Sequence, residues 1–309
     1  TMITILINIH HCFEACMKTL IILFFSITLF GCGSSATSNE SNSDEITNTV
    51  AHTNFYTKAE QPVSFADVSA LAFQSPSEKL FYGDSSLQYV QYWPPTESEG
   101  NNELPAIIFI HGGCWSNAYR IDQSYPFATA LSLNGIHVWS VEYRATGDQG
   151  GGWPGTYQDI EQALEFIFTT GENYHGKRNF MVLGHSAGGH LALLAKSNLD
   201  SDFDTVGLAA ITDIVSYANA SGGCNSLAAS FMNGLPEDNP NEYALANPKL
   251  SQLADDTFLF TGDIDPIVDT SQASNSGLPF EIVEGTGHFD WIHPGTESFE
   301  RLLQYLLNL

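Results

Sequence analysis

Two apolar patterns alternate along the chain. Short unbroken apolar runs read as strands buried on both faces, and stretches with apolar residues three and four apart read as helices. Ala106-Ile107-Ile108-Phe109-Ile110 is the clearest run. Ile136 to Tyr143, Met181 to Leu183, Val206 to Ile211, Thr257 to Thr261 and Phe280 to Val283 read as further strands. Leu80 to Asp84 and Leu87 to Trp93 predict two strands joined by a turn, the second ended by Pro94-Pro95, which cannot continue a ladder. Thr156 to Thr169 carries Tyr157, Ile160, Ala163, Leu164 and Ile167 on one helical face. Phe65 to Phe73, Asp122 to Asn134, Leu191 to Ala195 and Phe299 to Leu307 are the other expected helices. Asp213 to about Leu253 is broken by Gly222-Gly223, Pro236, Pro240 and Pro248, and is expected to be irregular. Strands alternating with helices predict an α/β fold: a mainly parallel central sheet with helices on both faces.

Composition narrows the partners. The 309 residues are 43% hydrophobic, enough for a large single core. With 10 Lys+Arg against 35 Asp+Glu, the net charge is -25. Such a surface repels polyanions, so nucleic acid is excluded as a partner, and the charge itself favours solubility.

The N-terminal region reads as targeting rather than fold. Met17-Lys18 precedes the apolar run Leu20 to Phe30, too short for a stable membrane span, and small residues follow, as in a secretory signal. Leu29-Phe30-Gly31-Cys32 resembles the lipobox of bacterial lipoproteins, which implies lipidation at Cys32. The expected organisation is an upstream extension at 1–16, a signal at 17–31, a flexible tether at 32–60 and a catalytic domain at 61–309. The protein is then exported, held at a bacterial membrane only through the lipid on Cys32, with its domain in the periplasm or on the cell surface. Of the five cysteines, Cys12, Cys16 and Cys32 fall in the leader region, leaving Cys114 and Cys224. Export permits a disulfide between them, and two separate buried thiols are the alternative.

Gly184-His185-Ser186-Ala187-Gly188 stands between the Met181–Leu183 strand and the helix that follows, and matches G-x-S-x-G. A tight strand-to-helix turn needs small residues two positions either side of the serine, because backbone meets backbone there. Such a turn presents the Ser186 Oγ and aims the first helix N–H, that of Ala187, beside it. His111-Gly112-Gly113-Cys114-Trp115 directly follows a strand, and its two glycines let N–H groups converge on one point. Gly112, Gly113 and Ala187 are therefore candidate oxyanion-hole donors. His111 precedes the serine and is read as a brace for its loop.

A base that follows the serine leaves His190, His288 and His293. His190 lies in the same helix as the serine's turn and cannot easily reach Oγ. His288 lies in Gly285-Thr286-Gly287-His288-Phe289, just past a strand end, where a base belongs. His293, ahead of Pro294, is the second choice. The acid is expected after Thr257–Thr261, where Gly262 to Val268 offers Asp263 and Asp265. Asp265, ahead of Pro266, is the choice, Asp263 is the alternative as a loop cap or supporting carboxylate, and Asp269 lies further along. Trp115, Phe289 and Trp291 are candidate substrate walls. No H-E-x-x-H or CxxC pattern is present, so neither metal nor cofactor is expected.

With these residues assembled, the region from about Leu80 to Leu309 resembles the α/β-hydrolase superfamily, in its esterase and lipase branch with HGG ahead of the elbow. Tyr82-Gly83, His111 to Trp115, Glu142-Tyr143-Arg144 and Gly184 to Leu191 are most similar to carboxylesterases grouped with feruloyl esterases and kynurenine formamidase. The resemblance implies a Ser186, Asp265 and His288 triad and an oxyanion hole from Gly112, Gly113 and Ala187. The tether fills most of the space of a domain-sized amino-terminal cap, so a small cap or none and a fairly open acyl site are expected. It departs at Cys114, where the formamidases tend to carry Tyr or Ala. The expected function is a serine carboxylesterase acting on small to medium esters through an acyl-enzyme. The alternatives are an arylformamidase or related amidase, and a non-catalytic surface binding protein on a hydrolase fold, whose mark would be a missing triad member.

Overall fold

Eight strands among the described residues form one sheet in the order β1-β2-β4-β3-β5-β6-β7-β8. They are β1 (Glu78–Phe81), β2 (Tyr89–Trp93), β3 (Ala106–Ile110), β4 (Val138–Glu142), β5 (Phe180–His185), β6 (Asp204–Leu208), β7 (Thr257–Gly262) and β8 (Phe280–Val283). The computed structural model describes residues 55–96, 104–176 and 179–309, all within the unit Ala51–Leu309. The leader, Cys32 and the tether up to residue 54 lie outside the described residues. β1 pairs antiparallel with β2, and β2 antiparallel with β4. From β4 across to β8 every pairing is parallel.

Alternation within the buried strands assigns the two faces. Ala106, Ile108 and Ile110 of β3 join a core with α3 (Gly155–Thr170) and most of α5 (Ala187–Asn198). Ile107 and Phe109 point the other way, into a core with α1 (Phe65–Ser69), α2 (Tyr125–Leu133) and α10 (Glu297–Leu307). β3 is thus buried on both faces, as its unbroken apolar run requires. The parallel strands all end on one edge, and the loops leaving β3, β5, β7 and β8 carry Gly112, Ser186, Asp265 and His288.

Two sequence expectations change. The segment after β6 is not irregular: it contains α6 (Ile214–Asn219), α7 (Gly223–Phe231) and α8 (Pro240–Ala246). Of its helix breakers, Gly222-Gly223 and Pro240 stand at helix starts, where they do no harm, and Pro236 and Pro248 lie between helices. Pro240 opens α8, Gly222 precedes α7, and the Asp213 side chain caps α6 by accepting from the N–H groups of Val215 (3.0 Å) and Ser216 (3.1 Å). The tether, expected to reach residue 60, gives way to packed chain by residue 55. The Tyr56 hydroxyl donates to the carbonyls of Ala72 (2.9 Å) and Pro126 (3.0 Å), and the Ala59 N–H donates to Gly295 (2.8 Å). The polar composition around these residues masks the anchoring tyrosine.

Cys114 and Cys224 form a disulfide, with Cα atoms 5.4 Å apart and a sequence separation of 110. A bridge closing so long a loop removes much freedom from the unfolded chain. Reduction is expected to cost about 2–4 kcal/mol, a fall in Tm of roughly 10 °C for a domain of this size. Thermal melts with and without a dithiol measure it, and an unchanged Tm would show that the bridge does not staple the fold.

Candidate active site

Ser186 joins β5 to α5 with φ 57° and ψ -122°, a backbone region that non-glycine residues rarely adopt. The turn is this sharp because its glycines let backbones touch. A Cβ on Gly188 would strike the carbonyls of Ile110 and His111, and one on Gly184 would strike the backbone of Gly188 and Gly189. The Ser186 N–H donates to the Leu208 carbonyl (2.9 Å), which ties the turn to β6. Ala187 is the first residue of α5, so its N–H lies at the positive end of the helix, beside the serine.

The His111–Trp115 loop stands against this turn. A Cβ on Gly112 would lie 3.0 Å from the Ser186 Cβ and 2.9 Å from the His185 carbonyl. Gly113 follows with φ 116°, and the Tyr119 side chain closes over it. His111 braces the loop, as expected. Its ring stacks on Tyr143 at 4.5 Å, its Nδ1 donates to the Gly112 carbonyl (2.7 Å), and its Nε2 is 3.4 Å from the buried Glu142 carboxylate. The Tyr143 hydroxyl donates to the His111 carbonyl (2.8 Å).

Asp265 and His288 meet across the loops after β7 and β8. His288 Nδ1 donates to Asp265 Oδ2 at 2.7 Å. The other oxygen, Oδ1, accepts from the N–H groups of Ile267 (2.7 Å) and Val268 (2.9 Å). Burial pushes the Asp265 carboxyl up, but the His288 bond and charge and these N–H donors outweigh it and hold the group below the ordinary carboxylate value. The carboxylate fixes the tautomer and ring orientation of His288, leaving Nε2 for proton transfer. Asp263 instead accepts from the Gly285 N–H (2.7 Å) and caps the histidine loop, while Asp269 accepts from the N–H of Ser271 (2.9 Å), the first residue of α9 (Ser271–Ser274).

Several other residues fall differently from expectation. Trp115 is fully buried, stacked on Phe231 at 5.0 Å, and belongs to the core instead of a substrate wall. Trp291 is fully buried against Phe260 for the same reason: a large ring gains more by leaving water entirely. Phe289 does border His288, ring centroids 5.0 Å apart, in a half-buried cluster with Phe65 and, through it, Tyr119. His293 accepts from the Gly295 N–H (3.1 Å), and His190 donates to the Ala246 carbonyl (2.8 Å), so neither joins Asp265.

Two further contributors escape sequence reasoning. His185 Nε2 donates to the His288 carbonyl (2.9 Å), linking the serine turn to the histidine loop. Asp290 accepts from the N–H groups of Gly287 (2.5 Å) and Val63 (2.7 Å), pinning that loop from beneath. His185 occupies the free position of G-x-S-x-G, where the motif gives no signal. Among the described residues, no group of three or more His, Cys, Asp or Glu side chains is arranged to hold a metal ion, and no helix is long and apolar enough to cross a membrane.

A family model described as BD-FAE matches residues 92–276, well over half of the chain. The chain belongs to the BD-FAE family. The BD-FAE match includes Gly112, Gly113, Ser186 and Asp265 and ends before His288, whose place rests on its bond to Asp265. Among curated proteins, the chain is similar to esterase LipC of Mycobacterium tuberculosis, 31% identical over 118 residues, 38% of this chain and 28% of that protein. It is also similar to kynurenine formamidase of Meyerozyma guilliermondii, 29% identical over 119 residues, 38% of this chain and 42% of that protein. The chain thus spans less than half the length of both relatives. The crystal structure of esterase B from Lactobacillus rhamnosis superposes with a TM-score of 0.61 at 22% identity, over 79% of this chain and 89% of that one. The BD-FAE domain therefore has the α/β-hydrolase fold that its sheet order and loops describe.

The buried histidines give this BD-FAE domain a measurable acid response. Burial lowers His185 from 6.5 to about 3, with the nearby His288 adding to the effect, and burial lowers His190 from 6.5 to about 4. Each binds a proton in the unfolded chain first, so stability is unaffected above about pH 7 and falls from about pH 6.5 towards those folded values. Asp265, depressed instead, keeps its contribution above the ordinary carboxylate value and loses it as pH falls through its lower folded value. The expected slope is up to about 1.4 kcal/mol per pH unit for each histidine. Melts between pH 7 and 4.5 in high salt, which screens the net charge, measure it. His190→Gln keeps a donor for Ala246 and is expected to flatten the slope; an identical slope would rule His190 out as a contributor.

Proposed function

We propose that this protein is a serine carboxylesterase that hydrolyses small to medium carboxylic esters through an acyl-enzyme. The observation that carries the reading is the Asp265–His288 bond at 2.7 Å on the same sheet edge as a serine held at φ 57°. The esterase named among the relatives supports the reaction class.

In this mechanism Ser186 Oγ attacks the ester carbonyl while His288 Nε2 takes its proton. Asp265 stabilises the imidazolium that forms. The N–H groups of Gly112, Gly113 and Ala187 receive the negative charge on the tetrahedral oxygen. His288 then returns the proton to the leaving alcohol, and water repeats the sequence on the acyl-enzyme to release the acid. Phe65, Tyr119 and Phe289 lie where they would border the substrate.

A second reading, an arylformamidase, is favoured by the likeness to kynurenine formamidase. The same machinery would cleave a formamide if the leaving amine were protonated by His288. For location, we place the domain outside the cytoplasm, anchored through a lipid on Cys32; the Leu29-Phe30-Gly31-Cys32 pattern and the disulfide, which persists in oxidising compartments, support this.

Ser186→Ala is expected to lower kcat on p-nitrophenyl acetate by at least about 10⁴-fold with the fold intact by circular dichroism. Near-normal turnover in that variant would sink the proposal. Asp265→Asn removes the carboxylate that fixes the His288 tautomer and is expected to cost about 10³–10⁴ in kcat. Rates on a formanilide and on an acetate ester separate the two readings: the faster substrate names the activity.

A further inference from the structure

Immediately beyond Gly112 and Gly113, two successive non-glycine residues are left-handed, Cys114 at φ 53° and Trp115 at φ 55°. Neither is the conformation an L-residue prefers, so something outside the loop must hold it. Both side chains are fastened to the same helix. Cys114 is bonded to Cys224 in α7, and the Trp115 ring stacks on Phe231 at the end of α7 with an interplanar angle of 10°. α7 is itself fixed: Asn225 donates to the Tyr217 carbonyl (2.9 Å), and the Trp153 N–H donates to the Phe231 carbonyl (2.9 Å). Behind the loop, the Thr146 N–H donates to the Trp115 carbonyl (2.7 Å).

We propose that the Cys114–Cys224 disulfide is a positioning element for the oxyanion loop, with α7 as its mount, and that its reduction lowers turnover while the protein stays folded. The proposal rests on the ester-hydrolase reading and deepens it. A bridge serving stability alone has no reason to close one residue past the Gly113 donor. Here it sets the backbone that aims the Gly112 and Gly113 N–H groups. These donors meet full negative charge only at the tetrahedral stage, so a loosened loop loses transition-state binding and keeps substrate binding. Both cysteines are half-buried, within reach of a small dithiol. Reduction takes two electrons and two protons from the dithiol, breaks the S–S bond, leaves thiols on Cys114 and Cys224 and converts the reductant to its own disulfide.

The test compares the oxidised full chain, the same protein treated with dithiothreitol, and Cys224→Ser. Each is assayed on p-nitrophenyl acetate at a temperature well below its melting transition. Thiol titration reports the state of the bridge, and circular dichroism on the same sample reports the fold. Loss of the bridge is expected to lower kcat by about tenfold or more, short of the 10²–10³ that deletion of an oxyanion donor costs, with KM changed by less than about twofold. The inhibition constant of a phenylboronic acid, whose adduct with Ser186 places a tetrahedral oxygen in the hole, is expected to rise in parallel. Reoxidation with oxidised glutathione is expected to restore kcat. A reduced, folded protein with unchanged kcat and unchanged boronate inhibition overturns the positioning role alone. Activity that disappears only together with the circular dichroism signal also overturns it, since the bridge is then a staple and nothing more. If the oxidised protein itself has no Ser186-dependent turnover, this proposal and the ester-hydrolase reading fall together.

Discussion

The close approach of two backbones at the β5–α5 turn is the constraint on which the site depends. Gly184 and Gly188 face each other with no room for a Cβ, and Gly188 also meets the carbonyls that end β3. That contact forces Ser186 into its left-handed conformation and sets its position beside Gly112. A larger residue at either glycine would move α5 away from β3, and with it both the serine and the Ala187 N–H. The loop after β3 lies against Ser186 only because the turn after β5 is so tight, and the proposed oxyanion donors depend on that approach.

The helices between β6 and β7 hold the surroundings of that turn from three directions. α7 takes the disulfide and the Trp115 ring from the loop after β3. The end of α8 takes a bond from His190, one helical turn past the serine. Tyr217 in α6 donates to the Ile267 carbonyl (3.2 Å), beside the N–H groups that hold Asp265. Serine turn, oxyanion loop and acid loop thus share one support. The histidine loop is tied to the serine turn by His185, to the acid loop by Asp263, and to Val63 through Asp290. The acid and histidine loops are thus bonded to each other, Asp263 accepting from the Gly285 N–H and the Ile264 N–H donating to the Thr286 carbonyl (3.2 Å), so the Asp265–His288 bond joins two loops already held together.

The sheet was legible in the sequence because buried parallel strands have no polar face to hide, as in Ala106–Ile110. The serine turn and the HGG loop were legible because only glycine allows their backbone contacts. Strand order placed the acid in the loop after β7, but only the bond to His288 separates Asp265 from Asp263. The remaining features depend on partners distant in the chain. His185 bonds a residue 103 positions away, and Cys114 pairs across 110. No local pattern records the first, and the cysteine count left the second as one of two readings. Trp115 and Trp291 show a different limit. An aromatic residue beside a motif fits a wall or a core equally well until its neighbours are known, and both found complete burial. The helices after β6 escaped because proline and glycine serve as helix starts as readily as helix breakers, and these helices are too short to show a period.

Backbone strain is concentrated where the chemistry is proposed. Among the described residues, the non-glycines with left-handed backbone are Cys114, Trp115, Ser186, Ala209 and Asn233. Two follow the proposed oxyanion donors, one is the proposed nucleophile, and Ala209 ends the strand that receives the serine's N–H bond. Each such residue costs on the order of 1–3 kcal/mol and persists only where its surroundings over-determine it. Here the surroundings are identifiable. The Ser186 N–H is bound to Leu208, the Ala209 N–H to Phe260 (2.8 Å), and the Trp115 carbonyl to Thr146. The first two bonds run between adjacent strand ends, so there the parallel sheet itself is the restraint, and the third joins the loops beyond β3 and β4. The disulfide adds a covalent restraint at the one strained pair, Cys114 and Trp115, that extends beyond the sheet edge. In the proposed mechanism, donors restrained this way need no rearrangement when charge develops.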